Sequence, residues 1–247
     1  MTDAGFFVRS YGPLPREDRP AVLLVHGLGL SGRYFTPLAH RLAASGATVV
    51  VPDLPGNVRS RTAARRAPDV GQLADALAGL QRGLFSGPSL VVANSVGCQV
   101  AAALAARHPH LVSRLVLIGP ALEPRVPAWR QFARLVADAP HEPLGLLFLA
   151  AFDYLVTGPL RCAASFRHSL RDAAESFEVN LSQVRAPTLV VRGAGDTIAS
   201  GTWTRRVAGL VADGHAKDVA GAAHAAHYSA PDTMAALIGK FTVGETG

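Results

Sequence analysis

The chain has 247 residues, 49% of them apolar, which is enough for one sizeable α/β core with an insertion and too apolar for a disordered chain. Its net charge of +6 is carried almost wholly by arginine, Lys217 and Lys240 being the lysines. The arginines are scattered without a recognition motif, which argues against a nucleic-acid partner.

No apolar run reaches membrane-spanning length, 144–152 being the longest, and residues 1–5 show no basic region leading into an apolar one. Cys98 and Cys162 form neither a disulfide framework nor a metal-type pair. The expectation is a cytoplasmic protein that needs no cofactor or metal and engages no membrane, with its oligomeric state open.

In chain order, 6–10 reads as an edge strand, followed by a proline-rich connection over 13–20. A buried strand at 22–26 ends in a glycine loop, 38–44 belongs to a helix, and 48–52 is the next strand. Arg59, Arg61, Arg65 and Arg66 cluster after it, either as a solvated loop or as a surface that steers an anionic substrate. Leu73, Leu77, Leu80 and Leu84 recur at three- and four-residue spacing and mark an amphipathic helix.

A strand at 89–93 follows, then short apolar runs at 115–118 and 188–191, a strand near 217–220 and a last helix over 231–241. Strands separated by helical patterns predict an α/β fold, a mostly parallel central sheet flanked by helices.

Between 118 and 188 lie roughly seventy residues, too many for one crossover helix. Helical patterns begin at Pro127, at Leu144 (to 157) and at Pro159 (to 170). This predicts a helical cap over 121–187, with the core formed by 1–120 and 188–247. Trp129, Phe132, Phe148 and Phe152 are the candidate substrate-binding residues, with Leu146 and Leu147 beside them. The same side chains could serve only to seal the cap against the core.

Chemistry concentrates at Ala93-Asn94-Ser95-Val96-Gly97, which follows the apolar run 90–92 and precedes a helical pattern from Cys98. Strand, tight turn and helix are what a nucleophile elbow requires, with small residues two positions either side of the serine. A serine hydroxyl needs a base, and the base needs an orienting carboxylate. Asp196 follows the strand-like Val190-Val191-Arg192-Gly193-Ala194-Gly195, and His224 follows Val219-Ala220-Gly221-Ala222-Ala223. Both fall at the carboxyl ends of expected strands, in the chain order Ser95, Asp196, His224. Glu123, after the 115–118 strand, is the other candidate acid.

In His26-Gly27-Leu28-Gly29 the Leu28 amide is aimed toward the nucleophile, and with the Val96 amide it would form an oxyanion hole. His26 itself reads as a structural hydrogen-bonding residue. His227 is expected to begin the last helix beside Tyr228, with no acidic third residue to complete a metal site. His40, His108, His110, His141, His168 and His215 are expected to face solvent.

These segments, together with Pro52-Asp53-Leu54-Pro55-Gly56, resemble the α/β-hydrolase family over nearly the whole length. The resemblance implies a serine-nucleophile hydrolase with a helical cap. A serine at position 95 separates the chain from the branches that carry aspartate there. The Asn94-Ser95 pair resembles hydrolases of aromatic ring-cleavage products, although the oxyanion loop is shorter than theirs. Cys98 and Val58 occupy positions where the family often has glycine, and one or both leading antiparallel strands are expected to be missing.

The resulting expectation is a serine hydrolase of the carboxylic-ester type acting on a small apolar ester or ketone. The alternatives are a C–C bond hydrolase, a lactonase, or a small-molecule receptor on the same fold.

Overall fold

The computed structural model describes residues 5–14, 20–60 and 67–245. Arg61, Arg65 and Arg66 of the arginine cluster lie outside them, as does 15–19 of the proline-rich connection. Arg59 is described, and its guanidinium stacks 4.9 Å above the Phe7 ring.

Seven strands form one sheet in the order β1-β3-β2-β4-β5-β6-β7. They are β1 (Val8–Tyr11), β2 (Ala21–Val25), β3 (Thr48–Pro52), β4 (Ser89–Asn94), β5 (Val112–Ile118), β6 (Thr188–Gly193) and β7 (Gly214–Val219). Only β1 is antiparallel, paired to β3 at the edge, so among the described residues one leading antiparallel strand is present. The inner strands are runs of Val, Leu and Ile because both faces are covered. Their period of two sends Leu23 and Val25 into one core and Val22 and Leu24 into the other.

Against the first face pack α2 (Val70–Leu84), α3 (Gly97–Arg107), α7 (Phe177–Gln183) and α8 (Gly201–Gly209). Against the second pack α1 (Thr36–Ala44), α9 (Ala226–Ser229) and α10 (Pro231–Thr242). The α2 start is set by a reciprocal cap. Asp69 accepts the Gln72 amide at 2.8 Å, while the Gln72 side chain accepts the Asp69 amide at 3.0 Å.

Between β5 and β6 the chain forms α4 (Ala128–Asp138), α5 (Leu144–Thr157), α6 (Pro159–Glu175) and then α7. The first three begin at or next to Pro127, Leu144 and Pro159, where helical patterns were expected. In the fourth, Phe177 and Leu181 are fully buried in the core.

Among the described residues no single helix is long and apolar enough to cross a membrane. The pair α5 and α6 meets that test of length and composition only across a bend of 99°.

Candidate functional site

Ser95 sits between β4 and α3 with φ +58°, a left-handed conformation that a non-glycine residue adopts only where its surroundings impose it. Its amide donates to the Ile118 carbonyl at 3.0 Å, anchoring the turn to the end of β5. Gly97 is required for the turn to close, since a Cβ there would lie 2.6 Å from the carbonyl oxygens of Val25 and His26.

Asn94 is buried and fully occupied. Its Oδ1 accepts the Tyr34 hydroxyl at 2.9 Å, and its Nδ2 donates to Ile118 (3.0 Å) and to the carbonyl of His224 (3.2 Å). Tyr34 in turn accepts the Gly27 amide at 2.9 Å. The residue before the serine thus ties three loops together. Cys98, in the first turn of α3, has its thiol aimed at the Ala93 and Ile118 carbonyls at 3.5 Å.

His224 Nδ1 and Asp196 Oδ2 are 3.0 Å apart. The other carboxylate oxygen, Asp196 Oδ1, accepts the amides of Ile198 (2.7 Å) and Ala199 (2.9 Å). Burial works to raise the Asp196 carboxyl, but His224 and those amides outweigh it and hold the carboxyl below its ordinary range. Burial works to lower His224, but the Asp196 charge and hydrogen bond prevail, helped by Asp138 and Glu142, so the imidazole is raised above its ordinary value.

His224 is 8% exposed, and its Nε2 has no hydrogen-bond partner among the described residues. It lines the same cavity as Ser95, a space of about 360 Å³. Glu123 is elsewhere, 3.3 Å from Arg134 at the base of α4.

Two glycines make room for this pair. A Cβ at Gly119, whose φ is +53°, would lie 2.8 Å from His224 Nδ1 and 3.0 Å from Asp196 Oδ2. One at Gly193 would meet the Ala223 carbonyl oxygen at 2.1 Å.

Leu28 and Val96 both line the cavity, Val96 as the residue that opens α3. His26 holds the loop behind Leu28. Its Nδ1 lies 2.8 Å from the Gly27 carbonyl, and its Nε2 accepts the Leu54 amide at 2.7 Å. That is the structural role expected of it.

Val58 adopts φ +40°, so its loop keeps the backbone a glycine would favour despite the β-branched side chain. His227 is fully buried on α9 rather than at the start of α10, with Tyr34 edge-on to its ring and the Phe35 ring tilted against it. Burial pushes its pKa well down. Among the described residues no cluster of His, Cys, Asp or Glu could hold a metal.

Of the four aromatic residues expected to bind substrate, Phe132 lines the cavity, alongside Leu135, Val136, Leu146 and Leu147. Trp129, Phe148 and Phe152 do not. They point outward at 67%, 75% and 53% exposure, with Arg130 stacked on Trp129 and Arg33 on Phe152. The inward stripe of α5 is instead Leu146, Asp153 and Thr157, and the buried residues of α4 are Gln131 and Asp138.

These inward polar residues were not foreseen: Gln131 donates to the Glu123 and Val126 carbonyls, while two acids of this region meet loops of the site. Asp138 accepts the amide and hydroxyl of Thr197, beside Asp196, at 3.2 and 3.1 Å. Glu142 accepts the amide of Ala225, beside His224, at 2.6 Å. Burial pushes the Glu142 carboxyl up to about 7, with the neighbouring Asp138 adding to the effect. A sequence signal existed for Asp153, a lone acid directly at the end of the longest apolar run of the chain.

Residues 20–162 match the family description "alpha/beta hydrolase fold". The chain belongs to the alpha/beta hydrolase fold family. It is 29% identical over 251 residues to a pimeloyl-[acyl-carrier protein] methyl ester esterase of Aromatoleum aromaticum, with 90% of this chain and 97% of that protein covered. It is 40% identical over 106 residues to the magnesium-chelatase 30 kDa subunit of Rhodobacter capsulatus, a match that spans 43% of this chain and only 36% of that relative's length. Among solved structures, the enol-lactonase from Burkholderia xenovorans superposes with a TM-score of 0.75 at 21% identity, covering 96% of each chain. At that identity the likeness concerns the fold.

Proposed function

We propose that the protein is a cofactor-independent serine hydrolase that cleaves a small, largely apolar carboxylic ester through an acyl-enzyme. One observation carries the reading. Ser95, on a strained strand-to-helix turn, shares a cavity with the unpartnered Nε2 of a histidine whose Nδ1 faces a buried carboxylate.

In this mechanism Ser95 Oγ attacks the ester carbonyl as His224 Nε2 takes its proton. Asp196 holds the imidazole with Nδ1 protonated and stabilises the imidazolium. The amides of Leu28 and Val96 bind the oxyanion, and His224 returns its proton to the leaving alcohol. Water, deprotonated by the same nitrogen, then releases the acid and restores Ser95. The apolar wall of Phe132, Leu135, Val136, Leu146 and Leu147 receives the acyl chain. Free thiols at Cys98 and Cys162 fit a reducing, cytoplasmic setting.

An ester is favoured over a ring-cleavage ketone because the polar atoms of Asn94 are spent within the framework, and because a relative matched along nearly its whole length is named for a methyl ester. The test is a panel of ester, lactone, thioester and vinylogous diketone substrates, run beside Ser95→Ala. Esters should turn over, and the alanine protein should fold yet lose about three to six orders of magnitude in rate. Brisk diketone cleavage with negligible ester rates would replace the ester reading by the C–C one. Very slow turnover of everything, with ligand-dependent protein binding, would favour a receptor.

A further inference from the structure

We infer that Asp153 and Thr157, two residues of the cap helix α5, are positioning residues that set the oxyanion loop. Asp153 is completely buried, and one of its carboxylate oxygens, Oδ2, accepts both the amide of Ser31 (2.8 Å) and the Ser31 hydroxyl (2.6 Å). The other, Oδ1, pairs with the guanidinium of Arg33. One turn further on, Thr157 donates to the Gly29 carbonyl at 3.0 Å and accepts the amide of Val58 at 3.2 Å.

The loop 27–31 is thus held from a single helix face at Gly29 and Ser31, the residues that follow Leu28. The fit there is close, since a Cβ on Gly29 would sit 2.7 Å from the Tyr154 ring and 3.0 Å from the Cys162 sulfur. The only backbone hydrogen bond within the loop among the described residues, Leu30 to Gly27, is stretched to 3.5 Å. The loop's own bonding is weak, and of its contacts to α5 those to Asp153 are charge-assisted. A charged pair at the far end of the loop is placed to fix the direction of the Leu28 amide, and a misplacement of about 1 Å there is costly for transition-state stabilisation.

The inference rests on the hydrolase reading of Ser95. It predicts a loss in the chemical step with little change in ground-state binding. The variants are Asp153→Ala, Asp153→Asn and Thr157→Val, with Leu155→Ala on the exposed side of the same helix as control. Ester kinetics, the rate of fluorophosphonate labelling of Ser95 and hydrogen exchange across 27–33 are measured on each.

Asp153→Ala should lower kcat and the labelling rate about ten- to a hundredfold, leave KM within about twofold, and speed exchange at 28–31. Asp153→Asn, which keeps an acceptor for Ser31, should recover part of the loss, and Leu155→Ala should match wild type. If Asp153→Ala fails to fold, Asp153→Asn and Thr157→Val carry the same test.

Wild-type labelling rates and unchanged exchange in the folded variants would overturn the inference and leave the hydrolase reading standing. A purely structural role, with melting temperature lowered and kcat unchanged, would overturn it equally. Failure of wild type to label at Ser95 would remove the hydrolase reading, and the inference with it.

Discussion

A single methyl group at position 119 would fall against both halves of the His224–Asp196 pair. Its backbone is also left-handed, where a side chain costs about 1–3 kcal/mol. Gly119→Ala should therefore destabilise the protein modestly and lower kcat far more than its melting temperature implies; comparing the two on one sample checks this.

The same pair sets the pH profile. On the proposed mechanism His224 must be neutral to act as a base, and Asp196, with Asp138 and Glu142, raises its pKa. Because the raised value lies above the unperturbed figure of about 6.5, the acid limb of kcat/KM should be centred above pH 6.5. Asp138→Asn keeps an oxygen for Thr197 and removes a charge, so it should move the limb to lower pH. A limb that stays in place would remove Asp138 from this role.

At the scale of elements, the choice of acid follows from where strands end. Asp196 lies just beyond β6 and meets His224, whereas Glu123 lies just before α4 and meets Arg134. Asp196→Asn should cost about 10⁴ in kcat and Glu123→Gln no more than a few-fold; the reverse ranking in parallel assays would transfer the role.

The strands were legible for a simple reason: Val, Ile and Leu runs buried on both faces, such as 48–52, allow few other readings. The motifs at the ends of β4, β6 and β7 were legible because the chemistry demands particular residue types in a particular order. The orientation of the cap helices was not. Periodicity assigns apolar residues inward, but α4 and α5 turn Gln131, Asp138, Asp153 and Thr157 inward. Asp138, Asp153 and Thr157 meet backbone groups of the loops around the site, and Gln131 meets the carbonyls of Glu123 and Val126. Trp129, Phe148 and Phe152 lie on the outer side.

For the whole molecule, the cavity between cap and sheet decides what fits. Each acyl methylene buried against Phe132, Leu146 and Leu147 should contribute about 0.8 kcal/mol, roughly fourfold in kcat/KM. Activity on simple activated esters should rise from acetyl to about butyryl or hexanoyl and then fall as the cavity of about 360 Å³ fills. A chain-length series with and without chelator measures this, and the chelator should leave every rate unchanged.

By itself the sequence determined the α/β class, the parallel sheet, the presence of a helical insertion and the candidates Ser95, Asp196 and His224, because local patterning and reaction chemistry constrain those directly. Only the tertiary structure decided which cap side chains reach the cavity, that α7 belongs to the core, and that buried cap acids hold the loops around the site. Those depend on helix rotation and on contacts between residues more than a hundred positions apart, such as Ser31 and Asp153, which no local pattern encodes.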